Sequence, residues 1–240
     1  MTDLRDIAII GSGHTRFGRL PATLEDLIVE AAHEALAEAG LTGADIDAVY
    51  LGHFNSGLVP DAFASSLVHQ ADPGLRFVPA TRCENACASG AAAIHAGINA
   101  ILAGRARRVL VVGAEKMTTR TTAEVTQALA GAGYQNDPVE AGLSFPAVFG
   151  LAAQTYAQRF GDPMETLARI AAKNHGNAMA NPLAQMQRPM TVEDCNTVSE
   201  KNPLIAPPLR LTDCSLISDG AAAVVLAAED DAPAEARTAR

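Results

Sequence analysis

No stretch of this sequence runs ~18 residues without a polar interruption, the length a membrane-crossing helix needs, so a span is not expected. Positive charge is scarce: 18 Lys and Arg stand against 27 Asp and Glu, a net charge of −9. Without a basic stripe to contact phosphates, a dedicated nucleic-acid binder is excluded. The one basic cluster, Arg105, Arg107 and Arg108, falls between a helix and a strand and reads as a helix C-terminus. Cysteine is sparse too, with four residues at 83, 87, 195 and 214. That is neither the density of a disulfide scaffold nor a CxxC pair, and no histidine follows at zinc spacing, so no metal is expected. The opening residues 1–6 are polar and acidic, unlike a secretion signal, and the expected location is a reducing cytoplasm.

With 48% hydrophobic residues, there is material for one large domain or a domain with an elaborate insertion. Ile7-Ala8-Ile9-Ile10 reads as a short buried strand running into Gly11-Ser12-Gly13. A strand followed by Gly-x-Gly invites a dinucleotide site, but the third glycine comes too late and the next helix begins only after Pro21. Thr23 and Asp26 form a variant capping box, Leu24, Leu27, Ile28, Ala31 and Ala35 recur at helical spacing, and Gly40 ends the helix. Residues 48–52 read as a second strand, so the chain opens β-α-β and a parallel sheet is expected.

A short helix is expected at 61–70, a strand at 77–81, and at 109–113 the continuous β-branched run of a strand covered on both faces. From about 117 to 208 the alternation stops. Glycines and threonines suggest loop, followed by helices at 146–160 and from Asp162-Pro163-Met164-Glu165 toward 174. So long an interruption between strands is normally a lid or a binding insertion. Strand character returns at 209–214 and 218–226, and 229–240 reads as a linker or loose end.

The remaining stretch, 83–104, is small or apolar on almost every face from Ala88 onward, as in a helix buried between layers. Cys87 stands where that helix starts. An unpaired cysteine commonly just fills space. At a helix start, however, free N–H groups and the macrodipole favour a thiolate, and the same groups can donate to an oxyanion formed on an acyl group that the sulfur attacks.

Asn85-Ala86-Cys87-Ala88-Ser89-Gly90-Ala91 resembles the nucleophile motif of the thiolases. Lys173-Asn174-His175-Gly176-Asn177-Ala178 with Asn181-Pro182 and Ala184-Gln185 resembles a signature of their lipid-transfer (sterol-carrier-protein) branch, and Ser218-Asp219-Gly220-Ala221-Ala222 the segment that closes their N-terminal half. The resemblance runs from Ile7 to about Ala228 and stops at the middle of a thiolase. The family's second sheet-and-helix copy, its Gly-His-Pro base, its water-holding motif and its second cysteine find no match. His95 cannot replace the base, because eight residues of helix put it ~12 Å from Cys87.

The resemblance implies an α/β fold: a doubly wound sheet with helices on both faces and a mostly helical insertion. Residues 1–116 would carry the nucleophile, 117–208 would be the loop domain that covers coenzyme A, 209–228 would complete the first domain, and 229–240 would trail as tail or linker. It implies an acyltransferase of lipid metabolism, an acetyl-CoA acetyltransferase type in which Cys87 accepts the acyl group and its backbone N–H serves an oxyanion hole. Acyl-CoA would be the substrate, with no covalently bound cofactor. Partners would be a second copy, joined along the strand at 77–81, and the missing C-terminal half or an accessory subunit. A ketoacyl synthase using the same cysteine and a non-catalytic subunit needing a partner chain are the alternatives.

Overall fold

The computed structural model describes residues 6–134 and 136–231. In chain order its elements are β1 (Ile7–His14), α1 (Leu24–Glu38), β2 (Ala48–Gly52), β3 (Ala80–Cys83), α2 (Ser89–Leu102), β4 (Arg108–Glu115), α3 (Thr122–Ala130), α4 (Phe145–Phe160), α5 (Met164–Ala178), α6 (Val192–Asn196), β5 (Leu204–Ala206), β6 (Leu209–Arg210) and β7 (Gly220–Ala228). They divide into a first unit, Met1–Thr118 with Ser218–Arg240, and a second, Thr119–Ile217.

The first unit is built on a five-stranded sheet of order β1-β7-β4-β2-β3. β2 pairs parallel with β3 and β4, whereas β7 runs antiparallel to both β1 and β4. The sheet is therefore mixed, not parallel throughout. The crossover through α1 leaves β1 and β2 apart, and β7, returning from the insertion, fills the gap beside β4 in the opposite direction. Strand alternation divides the core between the two faces. Leu110, Val112 and Ala114 of β4 join Leu27, Ile28, Ala31 and Ala35 of α1 on one side, while Val109 and Val111 meet Ala93 and Ile101 of α2 on the other. Helices thus cover both faces, and β4 is apolar at successive positions because it is buried on both.

β1 continues past Ile10 through the glycines, pairing as far as His14 with Ala222. A Cβ on Gly11 would stand 2.3 Å from the Ala35 carbonyl oxygen, and one on Gly13 2.1 Å from that of Ala31. The Gly-x-Gly motif therefore lets the backbone of α1 lie directly on β1; it is a packing device. The outer edge of β1 is closed by the same helix. Ser12 donates to Glu38 through both its N–H and its hydroxyl, and the His14 N–H donates to Glu34. Thr23 and Asp26 form the expected capping box of α1.

The strand expected at 77–81 is β3, Ala80–Cys83. Phe77 cannot belong to it, because its φ of 71° is left-handed. A 3₁₀ turn, Ala64–Gln70, occupies most of the helix expected at 61–70.

α2 corrects a second expectation. Its buried side is Ser89, Ala93, Gly97 and Ile101, but Ala91, His95, Asn99 and Leu102 are exposed, so among the described residues the helix is covered on one side and carries polar residues on the other.

The second unit holds α3 to α6 and the two-stranded β5-β6 sheet. Leu209-Arg210, expected to rejoin the main sheet, pairs instead with Leu204–Ala206, and the return to the first unit comes at Ser218. α3 was expected as loop; the Thr121 and Glu124 capping box starts it. A small core of Ala168, Ala171 and Cys195 is supplemented by buried Arg210, which donates to Asp213, Asn196 and the Met164 carbonyl. Of the tail, Glu229–Asp231 forms a 3₁₀ turn, and 232–240 lies outside the described residues. Among the described residues no helix is long and apolar enough to cross a membrane.

Candidate active site

β3 ends at Cys83 and α2 begins at Ser89, so five residues must reverse the chain from sheet to helix. They do so through Ala86, held at φ 47°. Alanine in this left-handed region costs on the order of 1–2 kcal/mol and lasts only where its surroundings fix it. Here several bonds close the turn. The Ala86 N–H donates to Glu84 Oε1 at 2.6 Å, the Ala88 N–H to the Asn85 carbonyl at 2.9 Å, and the Ser89 N–H to the Ala86 carbonyl at 3.1 Å. The Ser89 hydroxyl accepts from the Asn85 N–H at 2.8 Å and donates to the Ala86 carbonyl at 2.7 Å.

The turn leaves Cys87 exposed. A Cβ placed on Gly90 would meet nothing within 4 Å, so the first turn of α2 presents bare backbone to open space at this position. Beneath, β2 supports it: a Cβ on Gly52 would stand 2.7 Å from both the Gly90 Cα and the Ser89 carbonyl oxygen. Only glycine at 52 allows the start of α2 to seat on the strand end.

The other three thiols are poorly suited to nucleophilic work. Burial pushes the Cys83 thiol up; at Cys214 burial, then the neighbouring Asp213 carboxylate, do the same. Cys195 is fully buried, and burial followed by Asp194 raises it as well. A thiol held protonated is a weak nucleophile.

Around the carboxyl ends of β2, β3 and β4, where ligands of α/β sheets collect, lies a cluster of polar residues that sequence reasoning did not nominate. Arg82 of β3 donates from Nε to the His53 carbonyl at 3.1 Å and from its guanidinium to those of Phe54 and Ala62, both at 3.4 Å. Glu115 of β4 accepts from the N–H groups of Phe54 and Asn55. His53 is buried, with Nδ1 2.8 Å from the Ala114 carbonyl and 3.4 Å from Glu115 Oε2, so Nδ1 carries the proton donated to that carbonyl. Together these side chains pin a loop whose residues Asn55, Ser56 and Gly57 all have positive φ. Their signal in the sequence is slight: lone polar residues at strand ends.

Asp219, at the entry to β7, is fully buried and accepts from Lys116 Nζ at 2.7 Å, from the N–H groups of Met117 and Thr118 at 2.8 Å, from the Thr118 hydroxyl at 2.6 Å and from the Leu20 N–H at 3.0 Å. Burial alone would raise its pKa, but the bonds from Lys116, Thr118 and Leu20 overcome that and lower it to about 2. The carboxylate fastens the segment leaving the first unit to the segment re-entering it.

His175 lies in the second unit, away in sequence and in unit from Cys87. Its Nδ1 is 3.1 Å from the Arg188 carbonyl, which braces the end of α5. His95 stands exposed on α2.

Similarity to known proteins agrees with this geometry. The family model of the thiolase N-terminal domain matches residues 7–230. An acetyl-CoA acetyltransferase of Methanothermobacter thermautotrophicus is 41% identical over 175 residues, 72% of this chain and 45% of that protein. Human sterol carrier protein 2 is 28% identical over 188 residues, 72% of this chain and 33% of its own. Among solved structures, the Ltp2-ChsH2(DUF35) aldolase superposes with a TM-score of 0.77 at 25% identity, covering 97% of this chain and 57% of the other. The chain thus spans only about half the length of the relatives it matches. A mixed sheet with a helix on either face, a cysteine displayed at a strained strand-to-helix turn and a family match over nearly its whole length place this chain in the thiolase family, within its N-terminal domain.

Proposed function

We propose that this chain is the nucleophile-bearing half of a thiolase-type acyltransferase acting on acyl-CoA. The observation that carries the reading is the exposed Cys87 thiol at the turn between β3 and α2, in a chain matched by the thiolase N-terminal domain over residues 7–230. The Cys87 thiolate attacks the thioester carbonyl carbon, a C–S bond forms, and coenzyme A leaves as a thiolate that takes up a proton. The tetrahedral oxyanion is met by backbone N–H groups of the turn that leads into α2, that of Cys87 among them. The acyl group then passes to an acetyl-CoA carbanion or, in the degradative direction, to free coenzyme A. The general base that activates Cys87 belongs to the family's second half, in the same or another polypeptide, and that half packs on the exposed side of α2. The second unit serves as the cover over coenzyme A.

Two copies associate through β3, in a cytoplasmic setting. In support, β3 is the other edge of the sheet, where the Ser65 hydroxyl reaches the Ala80 carbonyl at 3.4 Å, whereas the carboxylates of Glu34 and Glu38 close the edge of β1. Beside β3, Phe77 is 88% exposed and Phe63 70%. The pairing of Ltp2 with ChsH2(DUF35) in the similar aldolase makes an accessory chain a further partner.

The test is thiolysis of acetoacetyl-CoA by residues 1–240, alone and with a separately expressed thiolase C-terminal half. Turnover is expected only with the second half, since the parts of such a site act as one unit. Robust turnover by the lone chain would place the base within these residues and sink the reading.

A further inference from the structure

We infer that Ser89 is the positioning residue for the nucleophile: its buried hydroxyl ties Asn85 to Ala86 and so holds the left-handed turn that presents the Cys87 thiol. The inference rests on the reading of Cys87 as nucleophile and assigns this side chain a role in presenting it.

Ser89 is the first residue of α2, yet its hydroxyl caps nothing in the helix. The N-cap is Ala88, which has no side chain able to cap. The hydroxyl instead reaches back, accepting from the Asn85 N–H and donating to the Ala86 carbonyl. That carbonyl also takes the Ser89 N–H, so one residue makes two bonds to the carbonyl of the peptide unit leading into Cys87. The need for such a tie follows from Ala86. At φ 47° an asparagine or aspartate could steady itself by local hydrogen bonding, but alanine has no group with which to do so. Ser89 is 5% exposed, so its bonds meet little competition from water. Its backbone is fixed from below, where the Ser89 carbonyl lies against Gly52 of β2. The hydroxyl therefore works from a rigid base, and its effect falls on the three residues between it and the loop.

Without the hydroxyl, the Asn85 N–H loses its partner and the turn can relax toward φ below zero, which swings Cys87 away from the start of α2. Threonine carries the same hydroxyl and can restore the bonds.

The experiment follows alkylation of each cysteine by iodoacetamide, by peptide mass spectrometry, in the full chain and in Ser89→Ala and Ser89→Thr, across neutral to mildly alkaline pH. In the unsubstituted protein Cys87 should label first. Ser89→Ala should slow Cys87 on the order of tenfold, with Cys83, Cys195 and Cys214 unchanged. Ser89→Thr should restore the rate. If Cys87 is not the fastest in the unsubstituted protein, the nucleophile reading itself fails. If it is fastest there and equally fast in Ser89→Ala, the positioning role alone fails. Equal loss in Ser89→Thr, or uniform labelling of all four cysteines in Ser89→Ala, would show that Ser89 serves folding and would likewise overturn the inference.

Discussion

Lys116 Nζ and Asp219 Oδ2 meet at 2.7 Å with both side chains almost wholly out of water. Removing one partner strands the other charge. Lys116→Met should therefore cost about 3–5 kcal/mol, read as a lower urea midpoint at neutral pH. The pair also has a pH signature. The folded pKa of Asp219, about 2, lies below its ordinary 3.8. Its contribution of roughly 2 kcal/mol is whole above the unfolded value and is lost as pH falls from there through the folded one. Urea midpoints that fall no faster for the unsubstituted protein than for Lys116→Met over that acid range would refute the assignment.

Two glycines, Gly52 against the start of α2 and Gly97 within it, should respond differently to alanine. At Gly52 the new Cβ meets only backbone, at 2.7 to 2.8 Å, and nothing there can move cheaply. A loss of ~1–3 kcal/mol is expected, with slower labelling of Cys87. At Gly97 the contacts are the ends of Leu226, Val109 and Val111 at 3.1 to 3.2 Å, and alanine gains about 1 kcal/mol of helix propensity. Gly97→Ala should be close to neutral. Thermal unfolding of the two variants side by side decides the matter.

The carboxylates that α1 lays against β1, those of Glu34 and Glu38, keep that edge closed to other strands. Hydrogen bonds from the Ser12 hydroxyl and then its N–H hold the Glu38 pKa below the ordinary carboxylate value. Replacing Glu34 and Glu38 together by alanine removes both acceptors, and both charges, from the β1 edge. Light scattering should show association that grows with concentration, and a variant as well dispersed as the parent would speak against a guarded edge.

At the opposite edge, association through β3 predicts a dimer that Phe77→Asp dissolves. Aspartate tolerates the left-handed backbone at this position better than phenylalanine, so the change acts on the surface and spares the fold. A parent protein that stays monomeric at high concentration, by light scattering coupled to gel filtration, would rule out this interface.

Periodicity and caps made much of the first unit legible before the structure. Thr23 and Asp26 start α1 and the apolar stripe of α1 meets the sheet as its spacing predicts, while the β-branched run 109–113 is the doubly covered β4. Direction was harder to read. β7 has the same local pattern whether parallel or antiparallel, and only long-range pairing with β1 and β4 settles it. α3 carries its own capping signal in Thr121 and Glu124, but the threonines around it read as loop. At the site, Cys87 was legible because a thiol near a helix start suits acyl transfer and because Asn85-Ala86-Cys87-Ala88-Ser89-Gly90-Ala91 resembles the thiolase nucleophile motif. Ser89, Gly52 and the His53, Arg82 and Glu115 cluster were not, because their roles depend on contacts with residues distant in the chain or on a backbone angle that sequence does not show.

The central claim, that Cys87 carries the acyl group, is tested most directly by trapping the intermediate. The chain completed with a thiolase C-terminal half is incubated with acetoacetyl-CoA, quenched in acid and mapped by peptide mass spectrometry. The account predicts one acetyl group on the Cys87 peptide, released by neutral hydroxylamine as a thioester would be, and none in Cys87→Ala. Turnover accompanied by acetyl on Cys83, Cys195 or Cys214, or sustained turnover by Cys87→Ala, would contradict it.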